Sequence, residues 1–314
     1  MNILRASHLG MCFGVRDAIT LATTTSQTEP VTILGDLVHN ETVLRQLRSQ
    51  GVQMERQVAD VTTATVIITA HGTSEKTLER VHESGKRILE ATCPLVHHAH
   101  AALQRLVRAG YYPVVIGKKG HVEVRGLTED LESYDVILEE EEIQGMAYQP
   151  RFGVIAQTTQ PLERVHRLVK RLQERFQTSE VEFVDTVCQP TKQRQAAAVT
   201  LAQQSDIVLV IGGAHSNNTQ ELVSTCGRHC PRVYHVQEPG DLRATWFRLT
   251  DTVGITAGTS TPDRTIEEIE AWLKEFIAFQ EKLVEHLKQP ASETALGDGA
   301  IDLLEANSAA AVLK

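Results

Sequence analysis

The chain has 314 residues, 41% of them apolar and 23% charged, a balance that excludes a disordered polymer and suits two or three folded domains. Lys and Arg number 31 against 40 Asp and Glu, a formal charge of −9, which disfavours non-specific binding to nucleic acid or an anionic membrane. No run approaches the ~20 apolar residues of a membrane span, no leader pattern is visible at residues 1–15, and five cysteines in so long a chain read as reduced thiols in a cytoplasm.

The predicted elements come in three rounds. The first opens with the extended segment ILRASHLGMC, which ends at Cys12 ahead of a helical pattern. The apolar run VTILGDLVHN then brings His39 and Asn40, and TVIITAHG brings His71. The second round opens with RILEATC, ending at Cys93, with Pro94 at a first helical position. YPVVIGKKGH leads to His121 and Glu123, and FGVIAQTT leads to Thr158. A helix follows, with Val165, Leu168, Val169, Leu172 and Phe176 on one face. The third round opens with VEFVDTVC, ending at Cys188; DIVLVIGGAHS leads to Ser216, Asn217 and Asn218, and VGITAGTS to Ser260, with Pro262 at a further helix start. Gly51, Gly85 and Gly110 stand where helices should end. The strand pattern stops at about Phe279, so 280–314 is expected to be a tail.

The spacing is regular. His39, His121 and Ser216 follow their cysteines by 27, 28 and 28 residues. Short β-branched runs between helices predict an α/β fold of three similar domains, 1–93, 94–188 and 189–279, with small, mostly parallel sheets. In such sheets the working loops follow the carboxyl ends of the strands, where every polar loop named above lies.

Cys12, Cys93 and Cys188 recur in one context, a strand-to-helix junction, where helix N–H groups should favour thiolate. Three thiolates suit an iron–sulfur cluster or zinc. Structural zinc wants four ligands in closely spaced pairs, which are missing, whereas a four-iron cluster on three cysteines leaves one iron open as a Lewis acid. Cys226 sits at a core-facing helical position and Cys230 has one basic neighbour, so both stay outside the site. His39, His71, Ser216, Asn217, Asn218 and Ser260 supply mostly neutral donors of the kind that hold phosphate at helix N-termini. His97, His98 and His100 scatter over a helix surface, and Glu139–Glu142 reads as an exposed face. Glu123 is the only carboxylate in its loop. Its expected role is proton donor with a pKa raised by desolvation, and its plain alternative is an ion pair with Arg125. No dinucleotide or P-loop fingerprint is present.

The segments GMCFGVRDAI, VHNETV, AHGTS, ATCPLV, GHVEV, QTT, CQPTKQRQ, HSNN and GITAGTSTPD run in order from residue 10 to about 263. Together they resemble the 4-hydroxy-3-methylbut-2-enyl diphosphate reductase family. The resemblance implies a trefoil of three α/β domains around a 4Fe–4S cluster held by Cys12, Cys93 and Cys188. It implies that His39, His71, Ser216, Asn218 and Ser260, and with them Asn217, hold a diphosphate, and that His121, Glu123 and Thr158 surround an allylic hydroxyl. The implied reaction is reductive dehydroxylation to isopentenyl and dimethylallyl diphosphates, with ferredoxin or flavodoxin as electron donor. The chain departs from the family pattern at Val122 and Arg125, commonly Pro and Glu, at Asn217, commonly a second Ser, and at Pro190 and Lys192. Two rivals remain at this point: a quinolinate-synthase-like iron–sulfur dehydratase and a zinc-stabilised binding protein.

Overall fold

A computed structural model describes residues 1–288. Met1–Leu273 forms one compact unit, and Lys274 onward belongs to another. The first repeat runs β1 (Asn2–Arg5), α1 (Phe13–Ser26), β2 (Val31–Leu34), α2 (Glu41–Ser49), β3 (Gln53–Glu55), β4 (Thr65–Ile68), α3 (Glu75–Glu83) and β5 (Arg87–Glu90). The second runs α4 (Pro94–Arg108), β6 (Tyr112–Ile116), α5 (Val122–Thr128), β7 (Asp135–Ile137), α6 (Glu140–Gln144), β8 (Arg151–Ala156), α7 (Leu162–Arg175) and β9 (Glu180–Phe183). The third runs α8 (Gln189–Gln203), β10 (Ile207–Ile211), α9 (Asn217–Gly227), β11 (Val233–Val236), β12 (Thr252–Ala257) and α10 (Asp263–Lys288).

Three four-stranded sheets result, in the orders β3-β2-β4-β5, β7-β6-β8-β9 and β11-β10-β12-β1, with every pairing parallel. The central strands are apolar because helices cover both faces: Ile207, Val208, Leu209, Val210 and Ile211 are all fully buried. Ala18 and Ala22 of α1 pack on the first sheet, Leu103 and Leu106 of α4 on the second, and Ala198 and Leu201 of α8 on the third. Val165, Leu168, Val169, Leu172 and Phe176 do form one buried face. Gly51, Gly85 and Gly110 close α2, α3 and α4 with positive φ.

The sheets divide the chain differently from the repeat at one place. Residues 2–5 open the first repeat in sequence but pair with β12 in the third sheet, Asn2 opposite Thr252. Local pattern shows that a segment is a strand, not which sheet edge it completes. After β12 the third repeat has no fourth strand of its own, and β1 fills that place. Each fourth strand therefore runs into the cysteine that opens the next repeat, so Cys12, Cys93 and Cys188 sit at the three seams. Of the expected tail, 280–288 continues α10, and 289–314 lies outside the described residues. Among the described residues no helix is long and apolar enough to cross a membrane.

Candidate active site

Cys12, Cys93 and Cys188 are the N-caps of α1, α4 and α8, and none of their side chains makes a capping hydrogen bond. The backbone tethers them identically. Cys12 N–H donates to Thr259 O (3.0 Å), Cys93 N–H to Ala70 O (3.1 Å) and Cys188 N–H to Thr158 O (3.0 Å). Each acceptor lies in the loop after its repeat's third strand, so the three thiols occupy equivalent places. All three are free and half-buried.

The expected thiolate character is not found at two of them. Burial pushes the Cys93 thiol up despite the N–H groups of Leu95 and Val96, and pushes Cys188 up to about 11 despite Thr191. Desolvation is the largest cause at both and outweighs the helix terminus, and the nearby Cys12 and Glu123 side chains raise both thiols further. A positive centre bonded to sulfur would reverse that balance. The donor set, three free thiols presented on separate helix ends, fits a polynuclear iron–sulfur group taking one bond from each. Among the described residues no three His, Cys, Asp or Glu side chains close around a single ion, the arrangement zinc would need.

Three neighbours of the thiols escaped the sequence reading. Gly14 lies against Cys93, where an added Cβ would sit 2.5 Å from Sγ. Thr191 Oγ1 is 3.0 Å from Cys188 Sγ. The buried Arg194 guanidinium donates through Nε and Nη2 to Gly10 O (2.9 and 2.7 Å), and its charge interacts with Cys12 and Cys188. Thr191 and Arg194 stand three and six residues past Cys188, a helical spacing that was the available signal.

Three histidines from two repeats converge beside this set. His39 stacks on His71 with ring centroids 4.3 Å apart, and His121 meets them edge-on at 5.1 and 5.7 Å. Burial lowers all three pKa values, His121 to about 3 and His71 well below its usual range; repulsion from His39 adds to the effect at His71 and His121, and His215 and Lys118 add to it at His39. They are neutral donors near pH 7. His121 Nδ1 accepts from Glu123 N–H (3.2 Å), which puts the neutral ring's proton on Nε2.

The third repeat supplies the rest of the cradle. Ser260 Oγ donates to His39 O (3.3 Å), joining the third repeat to the first. Ser216 caps α9, accepting from Thr219 N–H (3.3 Å). Asn217 Nδ2 donates to Thr159 Oγ1 (3.1 Å), and Asn218 Oδ1 accepts from Thr259 N–H (2.9 Å). His39 Nε2, His71 Nδ1 and Asn218 Nδ2 are buried and have no partner. Orphaned buried polar atoms are costly unless a polar ligand satisfies them, and two of these sit on neutral imidazoles that suit an oxyanion.

Glu123 is 1% exposed. Its Oε1 accepts from Thr158 N–H (2.7 Å) and its Oε2 from Thr158 Oγ1 (3.0 Å). Burial pushes its carboxyl up to about 7, and both Thr158 contacts oppose the shift without cancelling it. The alternative pairing with Arg125 is not formed: Arg125 is exposed and Thr158 occupies both oxygens. His97 and His98 are exposed, whereas His100 is half-buried beside Gly72, outside this cluster.

With that geometry in view, the similarities to known proteins are direct. A family profile described as LytB protein matches residues 3–274. The 4-hydroxy-3-methylbut-2-enyl diphosphate reductase of Trichlorobacter lovleyi is 34% identical over 271 residues, covering 86% of this chain and 96% of that protein. The Geobacter sulfurreducens reductase of the same name is 35% identical over 278 residues, covering 88% and 98%. A solved structure of (E)-4-hydroxy-3-methyl-but-2-enyl diphosphate reductase, described as the terminal enzyme of the non-mevalonate pathway, superposes with a TM-score of 0.62 at 32% identity, covering 88% of this chain and 100% of that one. The Plasmodium falciparum E-1-hydroxy-2-methyl-but-2-enyl-4-diphosphate reductase structure shares the fold, with a TM-score of 0.79 at 21% identity. Matched in profile, sequence and three-sheet architecture over most of its length, this chain belongs to the LytB family.

Proposed function

We propose that the protein reductively removes the allylic hydroxyl of (E)-4-hydroxy-3-methylbut-2-enyl diphosphate. Two electrons and two protons yield water and either isopentenyl or dimethylallyl diphosphate. The observation that carries this reading is Glu123, a carboxyl titrating near 7, gripped by Thr158 and electrostatically coupled to Cys93 and Cys188. An acid beside thiols and an uncharged anion cradle suits proton delivery to a leaving hydroxyl.

Cys12, Cys93 and Cys188 would hold a 4Fe–4S cluster. When bound, such a group supplies electrons singly and a Lewis-acidic iron. His39, His71, Ser216, Asn217, Asn218 and Ser260 hold the diphosphate, and their fixed positions orient the reacting carbon. Glu123, neutral below about pH 7, carries the proton on a carboxyl whose placement Thr158 controls, and His121 offers Nε2–H to the same region. A one-electron cytoplasmic donor, ferredoxin or flavodoxin, provides the reducing equivalents.

The test is anaerobic turnover with dithionite and a viologen mediator after iron and sulfide loading. Substrate-dependent oxidation of the mediator with formation of the two C5 diphosphates is expected. Water loss without consumption of reductant would assign a dehydratase instead, and an inactive, colourless zinc protein would overturn the reading.

A further inference from the structure

The helix that carries the acid has a second attachment. α5 begins at His121 and Glu123, is 7 residues long, and runs into Glu129 and Asp130. The Asp130 carboxylate accepts from the backbone N–H groups of Glu75 (2.8 Å) and Lys76 (3.1 Å), the first turn of α3 in the other repeat. Glu129 accepts from Ser74 Oγ (2.6 Å) and Arg80 Nη2 (3.0 Å), and its carbonyl accepts from Lys76 Nζ (2.8 Å). Midway along α5, Gly126 lies on the Thr73 backbone: a Cβ there would come within 3.2 Å of Thr73 Cα. The segment held in this way continues directly from the loop bearing His71, whose ring stands 5.7 Å from His121.

We propose that Gly126 and Asp130 are positioning residues that set the separation between the anion cradle and the proton-donating carboxyl, and thereby select substrate length. The inference rests on the reductase reading above. A substrate with a charged end and a distant reacting hydroxyl needs two fixed points. Here they lie on different repeats, His71 on the first and Glu123 on the second, and the contacts just described join them. Backbone N–H groups on a carboxylate are directional and charge-assisted, so they fix position better than a flexible surface ion pair. At Gly126 the contact is backbone on backbone, with no side chain to give way.

Asp130→Ala and Gly126→Ala are compared with wild type on the natural substrate and on a homologue one methylene longer between hydroxyl and diphosphate. Affinity for inorganic pyrophosphate is measured in parallel by calorimetry. Pyrophosphate binding stays within about twofold, whereas kcat/KM for the natural length falls roughly tenfold or more and the length preference shrinks. In histidine-labelled protein the His71 and His121 ring resonances move, while that of His235 in the third sheet does not. Variants with a lowered Tm but wild-type kcat, length preference and resonances would overturn the proposal, because that is what a purely structural role predicts. If Asp130→Ala does not fold, Asp130→Asn, which keeps one acceptor, should show an intermediate loss, and wild-type selectivity there would equally overturn it. Wild-type protein inactive on both diphosphates would instead remove the reductase reading, leaving the resonances to judge the placement.

Discussion

Glu123 joins reactivity to a thermodynamic cost. Its folded pKa of about 7 lies above the ordinary carboxyl value, so the stability from its neutral form is complete below the unfolded pKa and is lost as pH rises through about 7. That difference is worth about 3 kcal/mol. Glu123→Gln cannot deliver a proton, so turnover should fall by ~10²-fold or more while iron content holds. The same variant should unfold at a higher temperature than wild type at pH 8 and near the same temperature at pH 5. A calorimetric scan at both values checks the sign. Wild-type kcat should decline as pH rises through about 7. Glu123 was legible as the candidate acid because no other carboxylate occupies its loop. The absence of the Arg125 pair was not, since which partner reaches a carboxylate depends on the packing of Thr158, 35 residues away. Sequence likewise suggested reactive thiols and missed that burial raises Cys93 and Cys188.

At the level of elements, one junction is used three times: strand, cysteine N-cap, helix. Its regularity made the parallel strands and the helix ends readable, down to Pro94 at the start of α4 and Gly110 at its end. Close approaches between elements left no such trace. Gly14→Ala would place a methyl group 2.5 Å from Cys93 Sγ, so iron incorporation should drop sharply while far-ultraviolet circular dichroism is retained. Asn40 caps α2 by accepting from Val43 N–H (3.2 Å). Asn40→Ala should cost about 1 kcal/mol in denaturant unfolding, the usual worth of such a cap.

For the molecule as a whole, the three seams predict that the thiols act as one unit. Cys12→Ser, Cys93→Ser or Cys188→Ser should each lose most of the iron and nearly all activity. Cys226→Ser and Cys230→Ser, whose sulfur atoms lie in the third core against backbone carbonyls, should keep both. Iron analysis of the five variants decides the assignment. Removing the first five residues, normally harmless at a terminus, should here destabilise by about 2–4 kcal/mol, because Ile3 and Leu4 belong to the edge strand of the third sheet. The three repeats were visible in the spacing of the cysteines, but this closure was not, since it pairs residues at opposite ends of the folded chain.

That closure also orders events during synthesis. β1 and Cys12 are made before the rest of this fold, yet the strand that fixes them, β12, is made about 250 residues later. At roughly 5–20 residues per second the N-terminal strand waits on the order of tens of seconds with its edge unpaired. The first two sheets can form meanwhile from local pairings, but Cys12 cannot take its place until Thr259, whose carbonyl receives its N–H, has been added. A chain interrupted before that point presents at most two thiols in register. The three-cysteine set is therefore complete only once synthesis has passed the last strand.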